Sequence, residues 1–344
     1  MPLISVIIPA YNAEQTISET VRSVLKQTLS DFEVIIIDDG SQDLTLEILS
    51  GITDSRIKVF SHPNAGACVS RNRGFAQAQG EFIAFLDADD LWTPDKLEAQ
   101  LAALQANPQA AVAYSWTNCI DEAGQFLRRG NHLSLNGDIY AELLLSDVLE
   151  NGSTSLIRRE ALAAVGGFDE SLAAAQDWDL YLRLAVNYQF VVVPSPQVLY
   201  RISTNSMSSQ VLQLESASLQ VIEKAFSQAP PALQHLKKPS LANLYSYLTF
   251  KAVEGLPQRQ HGLTAARFLW KAVANNPSLL RARVLTKVLF KIAVMTILLP
   301  QQAQSVFTKA GKFSDVTALL GYMRLDPDSI RSPTSVKIIP LHIQ

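Results

Sequence analysis

Three aspartates stand within four residues, directly after a short apolar run. The run is Phe82–Leu86, and Asp87, Asp89 and Asp90 follow it at once. Such a run predicts a strand buried on both faces of a parallel sheet, and ligands gather outside the carboxyl ends of such strands. Carboxylates this close repel one another unless a cation lies between them, and hard divalent cations prefer oxygen ligands. The alternative for an isolated Asp-x-Asp is a solvated turn followed by a helix cap.

Polar residues also follow the first two predicted strands. These strands are Leu3–Pro9 and Glu33–Ile37, and the second leads into Asp38 and Asp39. The residues that end the first strand are Pro9, Ala10, Tyr11 and Asn12. An aromatic ring can stack on a flat base, and a carboxylate can accept a hydrogen bond from a base imide or a ribose hydroxyl. The alternative is two ordinary turns in which Asn12 and Asp43 cap the next helices.

The elements that must position these residues alternate between strands and helices. Further strands are predicted over Ile57–Phe60 and Ala111–Trp116, and helices over residues 14–27, 44–49, 67–79 and 94–105. This order predicts a parallel sheet with right-handed crossovers. No Gly-x-Gly-x-x-Gly follows the first strand, which argues against a hydride-transferring dinucleotide enzyme.

Beyond residue 117 the pattern changes. It predicts a strand over Ser153–Ile157, a helix over Trp178–Val186, and two strands, Phe190–Val193 and Val198–Arg201, separated by two prolines. From about residue 211 onward the pattern is helical, with one further strand over Val336–Ile339.

Composition indicates a globular chain in a reducing compartment. Of the 344 residues, 48% are hydrophobic and 18% are charged, and only two are cysteines, Cys68 and Cys119. Two cysteines provide no disulfide framework. The apolar start Leu3–Ile8 has no basic residue before it and is broken by Pro9, so it reads as a strand rather than a signal peptide. We therefore expect a cytoplasmic protein.

Charge divides the chain into two parts. Residues 1–200 carry 12 basic and 26 acidic residues, whereas residues 201–344 carry 17 basic and 6 acidic ones. Such asymmetry predicts two parts with different partners. The acidic part argues against nucleic acid as a ligand, and the basic part is compatible with phosphates or an anionic membrane.

Taken in order, these motifs resemble those of the family 2 glycosyltransferases, inverting enzymes with the GT-A fold. The resemblance covers about residues 3–205 and rests on Ser5–Asn12, Asp38–Ser41, Asn64–Gly66, Ser70–Gly74, Asp87–Asp90, Gly166–Glu170, Gln176–Leu180 and Tyr200–Arg201. It implies an α/β catalytic domain with a mostly parallel central sheet over residues 1–208. Its nucleotide and metal half would end near residue 116 and its acceptor half would cover residues 117–208. A basic helical extension over 209–325 and a loose tail over 326–344 would follow.

The resemblance also implies a donor site. Asp89 would coordinate Mn²⁺ or Mg²⁺, and this metal ion would neutralise charge on the departing diphosphate. Asp87 would hold the ribose or the water shell of the metal. Pro9–Asn12 and Asp39 would hold uridine or deoxythymidine, with Asp38 in a supporting role. Arg71 would lie beside the base and diphosphate, or alternatively be a solvated arginine on a helix face.

On the acceptor side, the resemblance makes Asp177 the catalytic base, which takes the proton of the attacking hydroxyl. The family pairs this residue with a preceding acid, but Gln176 stands here and removes a like-charge neighbour. The alternative role of Asp177 is to cap a helix that begins at Trp178. Gly167 and Trp178 would line the acceptor side.

Arg201 would begin a segment that covers the diphosphate. In many members of the family this segment continues to a histidine. Here the continuation, residues 202–208, contains none.

The basic part contains a distinctive helix. Arg283, Lys287 and Lys291 lie four residues apart and so form one stripe, while most of the remaining surface is apolar. The apolar stretch Leu285–Leu299 is shorter than a membrane span. A basic helix with an apolar face is typical of the membrane interface. The alternative is a helix packed on the catalytic domain.

The sequence thus predicts a transferase that moves a sugar from a UDP- or dTDP-sugar to a hydroxyl of a saccharide or lipid-linked acceptor, in cell-surface polysaccharide synthesis. The enzyme would be cytoplasmic, or peripheral at the cytoplasmic face of the membrane. One rival is a catalytically silent nucleotide-sugar-binding subunit, against which the presence of both Asp89 and Asp177 argues. Another is a sugar nucleotidyltransferase, which needs a basic, glycine-rich loop where Pro9–Asn12 stands. The donor sugar, the acceptor and the oligomeric state cannot be read from these motifs.

Overall fold

The computed structural model describes residues 1–202, 210–254 and 257–331. Within them, nine strands form one sheet in the order β3-β2-β1-β4-β8-β6-β9-β5, with β7 paired to β6. The strands are β1 (Ile4–Ala10), β2 (Phe32–Asp38), β3 (Ile57–Ser61), β4 (Phe82–Phe85), β5 (Leu91–Trp92), β6 (Ala110–Ile120), β7 (Phe126–Arg129), β8 (Ser155–Arg158) and β9 (Gln189–Arg201). The sheet is mixed, and helices follow it, so the predicted fold class is confirmed.

The nucleotide half of the sheet is parallel. β1 lies between β2 and β4 and is parallel to both, and β3 extends the parallel set beyond β2. All residues of β2 and β4 are buried, as expected for apolar runs covered on both faces. The carboxyl ends of these strands therefore meet at one edge, where the aspartate motifs emerge.

Seven helices of the described chain accompany this sheet. They are α1 (Ile17–Leu25), α2 (Thr45–Ser50), α3 (Ala67–Gln77), α4 (Lys96–Ala106), α5 (Tyr140–Leu145), α6 (Arg159–Ala164) and α7 (Gln176–Ala185). Helix α1 buries Ile17, Val21 and Val24 in the main apolar core. Helix α3 packs closely on β1, because a Cβ added at Gly74 would overlap the side chain of Ile7. This close approach brings the polar residues of α3 to the edge of the sheet.

Two helices begin later than predicted, and groups from other parts of the chain bind the residues before each of them. The amides of Ala13 and Glu14 donate to Thr45 Oγ1 and Asp43 Oδ2, at 2.8 and 3.0 Å, and α1 begins at Ile17. The Thr93 amide donates to the Gln197 carbonyl, and its hydroxyl donates to Asp95 instead of capping a helix. Helix α4 accordingly begins at Lys96.

The prediction of two strands between residues 190 and 201 was wrong. β9 is one strand that runs parallel to β6, and the register between them shifts at Trp116, opposite Pro196. A proline has no N–H to donate, and such irregularities are where a strand tolerates one. β6 is longer than predicted and turns through Asp121–Gly124 into β7, a strand that the sequence did not predict.

The described residues form two compact units. The first holds Met1–Leu143 and the chain from Asp147 through β9; the second holds Leu144–Ser146 and the helices after residue 210. The helices of the second unit are α8 (Val211–Gln228), α9 (Lys237–Val253), α10 (Arg259–Asn275), α11 (Val284–Ile297), α12 (Pro300–Ala310) and α13 (Pro327–Arg331). The strand predicted over Val336–Ile339 lies outside the described residues. None of the helices in the described ranges is long and apolar enough to cross a membrane.

Helix packing in the second unit is tight. Glu215 of α8 accepts from Arg267 and Lys271 of α10 at 2.6 and 2.9 Å. Gly262 of α10 packs so closely on α11 that a Cβ would meet Met295 and Thr296. Helix α11 buries Val284, Val288, Ile292 and Met295.

The predicted cationic stripe of α11 is only partly a surface feature. Arg283 is exposed, whereas Lys287 and Lys291 are half-buried. The ammonium of Lys291 lies 5.4 Å from the centre of the Phe307 ring on α12. The two lysines thus belong to the flank of α11 that packs within this unit, and they do not form an open cationic surface.

Candidate active site

The loops after β1 and β2 are joined into one structure. The Asn12 amide donates to Ser41 Oγ at 3.0 Å, and Asn12 Oδ1 accepts from the Gln42 amide at 2.8 Å. Asn12 adopts a left-handed backbone, with φ of 47°, which asparagine tolerates better than most residues. Pro9 and Ala10 end β1 beneath it, and the Tyr11 side chain is 50% exposed. An exposed ring above a fixed backbone suits the predicted base cradle.

Asp38 and Asp39 are buried beside this loop. Asp38 accepts from Ser61 Oγ at 2.8 Å and from the Ser41 amide at 3.2 Å. Asp39 accepts from the amides of Ala65 and Gly66 at 3.0 and 2.8 Å. Asp39 Oδ1 also lies 3.6 Å from Arg73 Nη1. Both carboxylates therefore shape the loops around the cradle.

Arg71 joins three of the predicted motifs. This side chain of α3 is 4% exposed, so it is not the solvated arginine of the alternative. Its Nη2 lies 2.5 Å from Asp87 Oδ1, and its Nη1 lies 3.4 Å from Gln176 Oε1. Burial opposes the charge of Arg71, but the adjacent Asp87 carboxylate outweighs it and raises the arginine pKa. A fixed, charged guanidinium thus connects the loop after β4 to the first residue of α7.

Asp90 organises the loops behind these residues. It is completely buried, and it accepts from Ser153 Oγ at 2.6 Å and from the Arg201 amide at 3.0 Å. Burial, followed by the charges of Asp89 and Asp87, raises its pKa well above the usual range. Asp90 therefore supports the backbone of the loops around Asp87 and Asp89.

Arg201 is buried and bonded through most of its guanidinium. Its Nε donates to the Asp89 carbonyl at 2.9 Å, its Nη1 donates to the Glu122 carbonyl at 2.9 Å, and its Nη2 pairs with Glu19 at 3.0 Å. These contacts fix the Asp89 peptide. A direct contact of Arg201 with a nucleotide stays a prediction.

Asp87 and Asp89 provide the donor set expected for a hard cation. The Asp87 side chain is 26% exposed and Asp89 is half-buried, so both carboxylates border the open side of the site. Burial first, and then the charge of Asp87, raises the pKa of Asp89 to about 6. Within the described ranges, no three His, Cys, Asp or Glu side chains are arranged to hold a metal. Two carboxylates that repel each other fit Mn²⁺ or Mg²⁺ if a bound diphosphate supplies further oxygens.

Asp177 lies close enough to the Arg71–Asp87 ion pair to feel both of its charges. It belongs to the first turn of α7, which begins at Gln176, so the alternative role as the helix N-cap is wrong. Gly152 lies next to both Arg71 and Asp177. A Cβ added at Gly152 would lie 4.0 Å from Arg71 Nη2 and 4.0 Å from Asp177 Cβ. Burial, reinforced by Asp87, raises the pKa of Asp177 against the opposing effects of Arg71 and the Trp178 amide.

Asp147 is a site residue that the sequence analysis missed. Its Oδ1 accepts from the amides of Leu149 and Glu150, both at 3.2 Å. Burial raises its pKa well above the usual range, and the charge of Asp177 raises it further. Asp147 thus belongs to the buried acidic surroundings of Asp177. No local signal reveals this, because the two aspartates are thirty positions apart and no motif joins them.

The two acceptor-side predictions fall on the support of this region. Gly167 has φ of 72° and lies in a turn held by Asn72, which bonds both the amide and the carbonyl of Phe168 at 2.9 and 3.0 Å. Trp178 is 5% exposed, and its Nε1 donates to the Leu143 carbonyl at 2.8 Å. Gly167 and Trp178 are therefore structural residues of this region. Their contact with an acceptor stays a prediction.

The fold agrees with comparisons to known proteins. The sequence matches the family described as "Glycosyltransferase like family 2" over residues 5–252. The chain therefore belongs to this glycosyltransferase family, and the predicted enzyme class is confirmed.

One similar protein is the UDP-Glc:alpha-D-GlcNAc-diphosphoundecaprenol beta-1,3-glucosyltransferase WfgD of Escherichia coli. It is 46% identical over 106 residues, which cover 30% of this chain and 42% of that protein. The matched segments span between about a quarter and about half of the lengths of the first curated relatives.

Two solved structures share the fold. S. aureus TarS 1–349 in complex with UDP-GlcNAc has a TM-score of 0.54 at 18% identity and covers 82% of this chain and 92% of its own. Mannosyltransferase PcManGT from Pyrobaculum calidifontis, in complex with GDP-Man and Mn²⁺, has a TM-score of 0.57 at 18% identity and covers 97% and 88%.

Proposed function

We propose that this chain is an inverting glycosyltransferase that moves a sugar from a UDP- or dTDP-sugar to a hydroxyl of a saccharide or lipid-linked acceptor, in cell-surface polysaccharide synthesis. The observation that carries this proposal is the convergence of Arg71, Asp87, Asp89 and Asp177 at the carboxyl edge of the sheet. A charged donor pocket and a candidate base with a raised pKa stand together there.

The relatives support the chemistry of the two substrates. The name of the E. coli protein states a UDP-sugar donor and a diphosphoundecaprenol-linked acceptor. TarS was solved with UDP-GlcNAc, and PcManGT with GDP-Man and Mn²⁺. We assign catalysis to residues 1–208, with the donor half ending near residue 116 and the acceptor half following it. The basic helical extension begins at residue 209.

The donor is held by residues of several loops. Tyr11 and the backbone of Pro9–Asn12 face the base, Asp39 and Asp38 fix its surroundings, and Arg71 faces the diphosphate. Asp89, with Asp87, would hold Mn²⁺ or Mg²⁺, which when bound neutralises charge on the leaving diphosphate. The buried Asp90–Arg201 contact keeps the Asp89 backbone in place while the donor binds.

Asp177 accepts the proton of the attacking hydroxyl. Its raised pKa makes it a stronger base than an ordinary carboxylate, and the positive charge of the neighbouring Arg71 stabilises its ionised form. Attack on the anomeric carbon from the face opposite the diphosphate inverts its configuration.

The test combines binding with product analysis. Thermal stabilisation by UDP, dTDP and GDP is measured with Mn²⁺, with Mg²⁺ and with chelator, since a ligand at 100 times its Kd adds about 2.7 kcal/mol. We expect metal-dependent stabilisation by a uridine or thymidine diphosphate. The anomeric configuration of the product is then read by NMR. A retained configuration contradicts the inverting mechanism, and stabilisation without transfer to any hydroxyl acceptor indicates the silent subunit.

A further inference from the structure

Helix α10 of the second unit presents an exposed face. Arg259, Leu263, Ala266 and Trp270 are spaced by four, three and four residues, so they share one side of the helix, and all four are exposed. Trp270 is 74% exposed and Leu263 is 56% exposed. Most of the apolar surface of Trp270 is therefore not buried within the unit.

Helix α11 presents a similar face opposite to its buried one. Leu289, Ala293 and Ile297 are exposed at spacings of four, and Leu289 and Ile297 are 50% and 78% exposed. Leu280 and Leu299, which flank the helix, are 63% and 68% exposed. We call the six large residues the apolar outer face: Leu263, Trp270, Leu280, Leu289, Ile297 and Leu299.

The two helices bring these residues into one region. Gly262 packs against Met295 and Thr296. Leu263 follows Gly262 in α10 and Ile297 follows Thr296 in α11, so these two exposed side chains are adjacent in sequence to the helix contact. Isolated exposed apolar residues are ordinary on protein surfaces, but a concentration of them marks an interaction surface.

Basic residues predominate on the helices that carry the apolar outer face, although Asp315 lies beside Lys287 and Lys291 on the packed flank of α11. Arg259, Arg281 and Arg283 are exposed at the ends of α10 and α11. Between residues 239 and 312 the chain has ten basic residues, and Glu254, its single acid, pairs with Lys251 at 2.6 Å. A second copy of this chain would bring the same cations against themselves. An anionic surface complements them.

We propose that the apolar outer face is a membrane-contact surface that lies on an anionic bilayer. Its apolar side chains would enter the boundary between headgroups and acyl chains, and the three arginines would contact lipid phosphates. Tryptophan and arginine both favour this boundary, because each has an apolar body and a polar end. The contact is reversible and does not depend on the proposed sugar transfer.

The test uses the full chain with vesicles of phosphatidylcholine, alone or mixed with phosphatidylglycerol. Trp270 is a built-in reporter, because Trp92 and Trp178 are buried and Trp116 is half-buried. We expect co-sedimentation with the anionic vesicles, a blue shift of tryptophan fluorescence, and weaker binding as salt shortens the Debye length. In Trp270→Phe the shift should vanish while sedimentation persists.

Two double variants and one matched control separate the contributions. Arg281→Glu/Arg283→Glu should weaken vesicle partitioning at least about 25-fold, at about fivefold for each arginine. Leu289→Ser/Ile297→Ser should remain in the supernatant, because it lacks two of the apolar side chains that would enter the bilayer. The control Arg22→Glu/Lys26→Glu reverses two exposed charges, one on α1 and one directly after it, and should bind like the wild type. Far-UV circular dichroism and thermal unfolding, measured in parallel, show whether the helices of each variant are folded.

Several results would overturn the proposal. Wild-type protein that stays in the supernatant with anionic vesicles rejects it, as does equal binding to neutral vesicles. Equal loss in the control would show that only net charge matters. A dimer that Leu289→Ser/Ile297→Ser dissociates, without vesicle binding by the wild type, would assign the face to a second copy of the chain.

Discussion

Asp177→Asn should separate catalysis from stability. The amide keeps the size of the side chain and can still accept from the Trp178 amide, which lies 2.9 Å from Asp177 Oδ1. It cannot take a proton from the acceptor. We expect the transfer rate to fall by about 10²–10⁴, or about 3–5 kcal/mol in the activation barrier, with nucleotide binding near the wild-type level.

The same substitution should not destabilise the fold at neutral pH. Burial and Asp87 raise the pKa of Asp177, so the folded state favours its protonated form. A carboxyl of raised pKa makes the fold less stable as pH rises through the interval between its unfolded and folded pKa values. Replacing it with a neutral amide removes that effect, so the Tm should stay equal or rise.

Asp179→Asn provides a matched control on the same helix. Asp179 is 3% exposed and pairs with Arg183 at 2.7 Å. Its replacement should cost about 3 kcal/mol of folding free energy, because Arg183 loses its charged partner. Single-turnover rates and thermal unfolding of both variants give the comparison. An Asp177→Asn enzyme with a lower Tm and an undiminished rate would refute the assignment of the base.

Three further predictions concern the metal, the packing and pH. Asp89→Asn should abolish turnover and remove the Mn²⁺ dependence of UDP binding in titration calorimetry; an unchanged dependence rejects Asp89 as a ligand. Gly74→Ala should lower the free energy of unfolding by about 1–3 kcal/mol in urea, because the added Cβ must displace Ile7; no loss would mean that α3 is free to move. Burial raises the pKa of Glu150 to about 7 from its usual 4.5, so stability should decline as pH rises through that interval, and Glu150→Gln should flatten the decline. An equal slope in that variant would contradict the assignment.

Local patterns account for the strands and for the edge at which the motifs meet. Runs such as Phe82–Leu86 are too short and too apolar for a surface helix, and their polar neighbours follow at the carboxyl ends. The grouping of Asp87 and Asp89 at this edge could therefore be predicted, because parallel strands carry such residues to a common place.

Pairings between distant parts of the chain could not be predicted in this way. The burial of Arg71 depends on the close approach of α3 to β1, and the role of Asp147 depends on a segment thirty residues before Asp177. The continuity of β9 through Pro196 depends on a register shift in its partner β6. On α11, spacing placed Lys287 and Lys291 on one stripe correctly, but only the position of α12 decides that this stripe packs inward.

The joined loops after β1 and β2 bear on how the donor preference of this chain could be redesigned. Five hydrogen bonds connect residues 12–14 with residues 41–45, and each uses a backbone amide of one loop and a side chain of the other. A chimaera that imports only one of these loops from a relative would leave amides without acceptors. Grafting both together keeps the set intact, so the pair is the smallest module to transplant in a test of the proposed base cradle.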